Sequence, residues 1–265
     1  FLEGHDKAII GLEVLDEYVL SSLPLLKVVG KYGVGLDKID LVAMNRYKKR
    51  LGFMKGVNRR SVSELTLSFM ISLLRNIQIS RDEILDGKWA QHVGKQLTGR
   101  TIGIIGCGNV GKDLVKLLQP FKCQILVNDV VEYVDFYKKY QIKPIDIERL
   151  LKASEIVTLH IPYNELTHNI INESRLSIMR PSAILINTAR GGLIDEIALK
   201  KRLKEKKLAG AGLDVFLREP PSDLELLTLP NFLMTSHIGG SSEEAILAMG
   251  RAAIKGLEHN EIPNV

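Results

Sequence analysis

Cysteine is nearly absent: Cys107 and Cys123 are the only two in 265 residues. Both lie in apolar, strand-like runs with no metal-type spacing. That argues against a disulfide-stapled secreted scaffold and against a zinc module, and a reducing cytoplasm is the expected compartment. No apolar run approaches the roughly 20 residues that cross a bilayer, so no membrane partner is expected. The opening residues carry no secretory-signal pattern. Charge of one sign is also scarce. The net charge of +5 is spread along the chain, and the one basic run, residues 200–207, reads as the solvated face of a helix. No nucleic-acid partner is expected. No histidine–carboxylate spacing suggests a metal site, and low-complexity tracts and internal repeats are missing. What remains is an ordinary globular composition, 45% hydrophobic and 25% charged, on a chain long enough for two modest domains.

The dominant rhythm is a short apolar run followed by an amphipathic stretch. Strand-like runs are expected at residues 8–12, 27–30, 101–106, 124–129, 155–160, 183–188, 212–215 and 231–235. Helices are expected at 61–78, 110–118, 147–152, 196–205 and 242–258. The alternation predicts α/β architecture: a Rossmann-type doubly wound parallel sheet. Runs such as Thr101-Ile102-Gly103-Ile104-Ile105 suit strands buried on both faces. The helix at 61–78 is apolar on more than one face and is expected to be buried or to form a homodimer interface. Residues 63–240 are assigned to the Rossmann domain. Residues 1–62, completed by 241–265, are assigned to a second, smaller α/β domain. The junctions near 61–64 and 237–242 are expected to act as hinges. Residues 1–20 read as the middle of a βα unit, so this smaller domain is expected to be truncated at its N-terminus.

The first chemical signal is Gly106-Cys107-Gly108-Asn109-Val110-Gly111. It follows a strand and opens a helix, the context in which GxGxxG binds a dinucleotide. Gly106 permits the tight turn, Gly108 lets the backbone approach a pyrophosphate, and Gly111 lets helix pack on strand. Amides at the helix N-terminus then face the phosphates. Asp129 ends the next strand, where a carboxylate accepts from the adenosine ribose hydroxyls and repels a 2′-phosphate. The predicted cofactor is NAD.

Three C-terminal motifs carry a family resemblance. They are Ile186-Asn-Thr-Ala-Arg190-Gly-Gly-Leu-Ile-Asp-Glu196, Gly210-Ala-Gly-Leu-Asp214-Val-Phe-Leu-Arg-Glu219-Pro220 and Thr235-Ser-His237-Ile-Gly-Gly240. With Lys31-Tyr-Gly-Val-Gly-Leu-Asp37-Lys-Ile-Asp40 and Ser61-Val-Ser-Glu64-Leu-Thr, they resemble the D-isomer-specific 2-hydroxyacid dehydrogenases over essentially the whole chain. The nearest likeness is to the phosphoglycerate dehydrogenase-like branch without a C-terminal regulatory domain. The resemblance implies a flavodoxin-like fold for the smaller domain and a small 2-hydroxy or 2-oxo acid as the partner molecule. It implies Arg190 on the substrate carboxylate and carbonyl, His237 as acid/base and Glu219 as its partner. Asp214 would orient the nicotinamide carboxamide, and Asn109 and Val110 would contact the pyrophosphate. Ile161 and Thr188 would line the cofactor cleft, with Gly239 and Gly240 beside it. The amides of Val34 and Gly35 would hold the far side of the carboxylate.

The chemistry agrees with those roles. Reducing a 2-oxo acid needs a hydride at carbon and a proton at oxygen. Histidine can supply the proton near neutral pH, and an arginine fork matches a carboxylate bidentately. One departure bears on the substrate. The phosphoglycerate branch usually carries a basic residue for the substrate phosphate after the strand occupied here by residues 8–10, where this chain has Gly11-Leu12-Glu13. Lys31, Arg46, Lys48, Lys49 and Arg50 are the candidates to replace that charge. The alternative reading is a non-catalytic, NAD-binding corepressor on the same scaffold.

Overall fold

In the computed structural model, which describes residues 1–264, the chain forms two compact units. One comprises Phe1–Ser61 with the segment from Gly240 on, the other Val62–Gly239. In chain order the smaller unit opens with β1 (Lys7–Ile10), α1 (Glu17–Ser22), β2 (Val28–Lys31), α2 (Leu41–Arg46) and β3 (Arg50–Gly52). There follow α3 (Arg59–Leu74), α4 (Ile77–Leu85), β4 (Thr101–Ile105), α5 (Asn109–Leu118), β5 (Gln124–Asn128), α6 (Val134–Tyr140) and β6 (Lys143–Pro144). Then come α7 (Ile147–Ala153), β7 (Ile156–Leu159), α8 (Glu173–Ile178), β8 (Ile184–Asn187), α9 (Glu196–Lys204), β9 (Gly210–Leu213), α10 (Leu224–Leu227), β10 (Phe232–Met234) and α11 (Glu243–Gly256).

The larger unit is built on a seven-stranded sheet in the order β10-β9-β8-β7-β4-β5-β6. Every neighbouring pair is parallel. Strands β7, β8 and β9 are buried along their whole length, because helices cover both faces of a parallel sheet and neither side needs polar residues. Val157, Leu159 and Leu185 enter one core layer with Leu150, Leu176 and Leu199. Ile156, Ile184 and Ile186 enter the other with Phe69, Met70, Leu114 and Leu118. This alternation places Ile156, Thr158 and His160 toward one face and their neighbours toward the other.

The smaller unit holds a three-stranded parallel sheet, β1-β2-β3. The last helix, α11, belongs to it through two glycines. A side chain at Gly30 in β2 would lie 2.5 Å from the carbonyl oxygen of Ala253, and one at Gly52 in β3 would lie 2.0 Å from that of Gly256. Acidic and polar caps start the helices. Asp16, Asp40, Asp146, Asn172, Asp195, Asp223 and Ser242 each accept an amide of the first turn, a bond that stabilises a helix by about 1 kcal/mol.

The expected helix at 61–78 proves to be two. Asn76 takes a left-handed conformation at φ 53° between α3 and α4, and residues of α3 alone reach the core. The expected strand at 212–215 lies two residues earlier, as β9. No helix among the described residues is long and apolar enough to cross a membrane.

Candidate active site

Because all seven strands run parallel, the loops that leave them gather at one edge. In sheet order the carboxyl ends of β10, β9, β8, β7, β4 and β5 lead to His237, Asp214 with Glu219, Thr188 with Arg190, Ile161, Gly106 and Asp129. An open parallel sheet binds ligands at this edge, where the strand order reverses between β4 and β7.

The glycine turn fits a dinucleotide. Gly106 has φ 96°, and a side chain there would meet the carbonyl oxygen of His160 at 2.5 Å and Ile161 at 2.6 Å. At Gly111 it would meet the carbonyl oxygen of Gly106 at 2.2 Å. Gly108 differs from both. Apart from its chain neighbours, no protein atom lies within 4 Å of a side chain built there, and that open space fits a ligand that approaches the backbone. Asn109 and Val110 begin α5, whose first amides are available to a phosphate. Asp129 stands beside this turn, accepting the amides of Cys107 and Val131. Burial pushes the Cys107 thiol up to about 11. Ile161 is half-buried against the turn. Thr188 is buried, and its hydroxyl meets that of Thr66 at 2.8 Å. Thr66 spends its proton on the carbonyl of Val62, so Thr188 is the donor of the pair.

At the other end of the edge, Nδ1 of His237 donates to Glu219, at 2.8 Å from one carboxylate oxygen and 3.1 Å from the other. The His237 backbone is left-handed at φ 57°, which costs a residue with a side chain on the order of 1 kcal/mol or more. Asp214 holds it there. The amide of His237 donates to the Asp214 carbonyl at 2.8 Å. One carboxylate oxygen of Asp214 accepts the hydroxyl of Thr235 and the amide of Ile238, and the other accepts the amide of Gly239. Asp214 is 1% exposed, so these bonds form away from competing water. The expected carboxamide contact gave no hint of this clamp, which joins residues more than twenty positions apart. An acid at the end of a wholly buried strand was the available signal.

Arg190 is held by its backbone. Asn187, itself buried, donates from its side-chain amide to the Arg190 carbonyl at 2.7 Å and accepts the Ala189 amide at 3.0 Å. The guanidinium donates to the carbonyl of Ala189. His160 lies between the two halves of the edge. Desolvation pushes its imidazole down to about 3. Nε2 meets the hydroxyl of Thr158 at 3.1 Å, and Nδ1 is buried without a partner.

In the smaller unit, Val34 and Gly35 follow the carboxyl end of β2 and are half-buried. Lys31 is buried, and its ammonium donates to the carbonyls of Gly11 and Tyr32. The amide of Gly11 donates to Glu13 at 2.6 Å. Gly240 packs on Asn58, whose amide nitrogen would lie 2.9 Å from a side chain at 240. The other candidate cations do not gather at Val34 and Gly35. Lys49 donates to the carbonyls of Leu23 and Leu26, ahead of β2. Arg50, the first residue of β3, bonds Asn260, and Arg46 pairs with Glu17. Lys49 and Arg50 thus stand at the amino end of this parallel sheet, opposite the loops of interest.

Comparison with known proteins places the chain among relatives of known family. Residues 67–239 match the profile of the D-isomer specific 2-hydroxyacid dehydrogenase, NAD binding domain. The chain is 38% identical over 235 residues to a D-3-phosphoglycerate dehydrogenase of Methanocaldococcus jannaschii, covering 88% of this chain but only 45% of that relative. It is 36% identical over 231 residues to a hydroxypyruvate reductase of Thermotoga maritima, covering 85% of this chain and 74% of the relative. A crystal structure of D-lactate dehydrogenase from Aquifex aeolicus, complexed with NAD and lactic acid, superposes with a TM-score of 0.87 at 26% identity. That match covers 100% of this chain and 89% of the other.

Proposed function

This chain belongs to the D-isomer-specific 2-hydroxyacid dehydrogenase family, and from that premise we propose that it interconverts a small D-2-hydroxy acid and its 2-oxo acid with NAD. The observation that carries the reading is the Glu219–His237 pair at the ends of two adjacent strands, β9 and β10, with Arg190 after the next strand, β8.

Gly106, Gly108, Asn109, Val110 and Gly111 would hold the pyrophosphate, and Asp129 the adenosine ribose. Ile161, Thr188, Asp214, Gly239 and Gly240 would line the nicotinamide side. When bound, NADH supplies the hydride. Arg190 grips the substrate carboxylate and stabilises charge that grows on the carbonyl oxygen. With Nδ1 committed to Glu219, His237 presents Nε2 to the substrate oxygen and delivers the proton there. In the oxidative direction the same nitrogen accepts it back. Glu219 fixes the ring's orientation and leaves Nδ1 protonated.

Charge placement supports a 2-oxo acid without a phosphate. Lys31 is spent on two backbone carbonyls, and Lys49 and Arg50 stand at the amino end of the smaller sheet. We propose a homodimer acting in the cytoplasm. The exposed apolar residues Ile84, Leu85, Trp89 and Val93 support the dimer, and two free cysteines support the reducing compartment.

The test is a screen of 2-oxo acids at fixed NADH, comparing glyoxylate, pyruvate, hydroxypyruvate and phosphohydroxypyruvate. The proposal expects NADH oxidation with at least one unphosphorylated acid. Oxidation with phosphohydroxypyruvate alone would overturn the substrate reading, and oxidation with none would overturn the activity.

A further inference from the structure

Glu196 has no part in the chemistry above, yet it reaches the loop on which that chemistry depends. It is the first residue of α9, after the cap Asp195, whose carboxylate takes the amides of Ile197 and Ala198. Glu196 turns away from the helix start. Its carboxylate accepts the amide of Leu217 at 2.8 Å. The preceding amide, Phe216, donates to Glu219 at 3.1 Å. Two consecutive amides at the exit of β9 are therefore held by two carboxylates, one of which is the partner of His237.

We propose that Glu196 is a positioning residue for the Glu219–His237 pair, pinning the turn that carries Glu219 against the loop that carries Arg190. The inference rests on the functional reading of that pair. Three observations support it. First, the two loops meet backbone to backbone. A side chain at Gly191, next to Arg190, would lie 1.9 Å from the carbonyl oxygen of Phe216 and 2.6 Å from the amide nitrogen of Leu217. The peptide bonded to Glu196 is thus the one packed on the Arg190 loop, and rotating it would break contacts on both sides. Second, Phe216 is anchored in the core against Phe232, but the next side chain, Leu217, is 62% exposed and does not fix its own peptide. The restraint on its backbone is polar. Third, among the described residues no cation pairs with Glu196. Lys200, one helical turn on, is taken by Asp223 at 2.8 Å and Glu225 at 3.0 Å. Burial, with a smaller contribution from the charge of Asp223, pushes the Glu196 carboxyl above the usual carboxylate range. A half-buried carboxylate without an ion-pair partner is costly to keep, and such groups cluster where function uses them.

The test uses the intact protein and the best 2-oxo acid of the screen. Glu196→Gln keeps an oxygen that accepts the Leu217 amide, so its kcat should stay within about threefold of wild type. Glu196→Ala frees the turn and should lower kcat by about 10- to 100-fold, less than the roughly 10²–10⁴-fold that acid–base catalysis contributes, because the acid/base itself is retained. NADH affinity, measured by fluorescence titration, should stay within about twofold. The decisive comparison is Glu196→Ala combined with Glu219→Ala. If Glu196 acts through Glu219, the double variant is no slower than Glu219→Ala alone, because coupled residues are not additive. Losses that multiply, or a Glu196→Ala variant with wild-type kcat, would overturn the proposal. Should Glu196→Ala fail to bind NADH, Glu196→Met, which fills the same space without an acceptor, is read by the same criteria. If the wild type reduces no 2-oxo acid, the functional reading fails independently. The His237 ring resonances in NMR spectra then decide this one: they should move in Glu196→Ala and not in Glu196→Gln, and identical spectra would overturn it.

Discussion

Asp214 and His237 are joined at the backbone, where the amide of His237 donates to the carbonyl of Asp214 at 2.8 Å. The Asp214 carboxylate then gathers Thr235, Ile238 and Gly239 around the same turn. A buried acid thereby fixes the left-handed backbone from which the imidazole reaches Glu219.

Replacing Asp214 by Asn should expose that dependence. An amide group must turn its own donors toward at least one of the N–H or O–H donors that the carboxylate now accepts. A buried polar group left unsatisfied costs about 1–3 kcal/mol. Asp214→Asn should lower unfolding stability by that amount in a urea titration and lower kcat as well. Unchanged stability would show that the clamp is not needed.

The proposed function makes cofactor choice depend on Asp129. Its carboxylate is already oriented by the amides of Cys107 and Val131, so it should meet the ribose hydroxyls without rearrangement. The wild type should use NADH strongly in preference to NADPH, and Asp129→Ser should narrow that preference. Equal kcat/KM for the two cofactors in the wild type would contradict this.

His160 predicts a pH dependence of stability. Its imidazole is pushed from 6.5 down to about 3 in the folded protein. Between those values the unfolded chain binds a proton that the folded chain does not. The neutral histidine's contribution is therefore complete above about pH 6.5 and is lost as pH falls toward 3, at up to about 1.4 kcal/mol per pH unit. Urea titrations at pH 7 and pH 5 should show the loss, and His160→Gln should flatten the slope by about one proton. An identical slope in the variant would refute the assignment.

Arg190 predicts a loss confined to the substrate. Removing a hydrogen-bonded charge partner costs roughly 2–5 kcal/mol, so Arg190→Ala should lower kcat/KM by at least about 10²-fold. NADH affinity should hold, since the residues assigned to the pyrophosphate and the adenosine ribose follow β4 and β5. Near-normal turnover would remove Arg190 from the site.

The central sheet was legible because β4, β7 and β8 are apolar on both faces, and such runs need no alternation to be read. The glycine turn was legible because a strand and a helix flank it. Other features were not. β3 is three residues long and opens on an arginine, too short to show a period. The break between α3 and α4 falls at Asn76, where the apolar spacing continues through a left-handed residue without interruption. The pairing of Glu219 with His237 came from motif resemblance, since nothing in the spacing of residues 219 and 237 brings them together. The bonds from Asp214 and Glu196 depend on loops that meet only once parallel strands align their carboxyl ends, so no local pattern announced them.

The account stands or falls on His237 as the proton donor in reduction of a 2-oxo acid. The direct measurement is NADH oxidation with the best acid of the screen, in wild type and His237→Gln, with NADH binding measured alongside. The account predicts turnover by the wild type with a D-configured product wherever the product is chiral. It also predicts a fall of about 10²–10⁴-fold in the variant, with NADH affinity unchanged. A wild type that binds NADH but reduces no 2-oxo acid, or a variant that turns over as fast as the wild type, would contradict it.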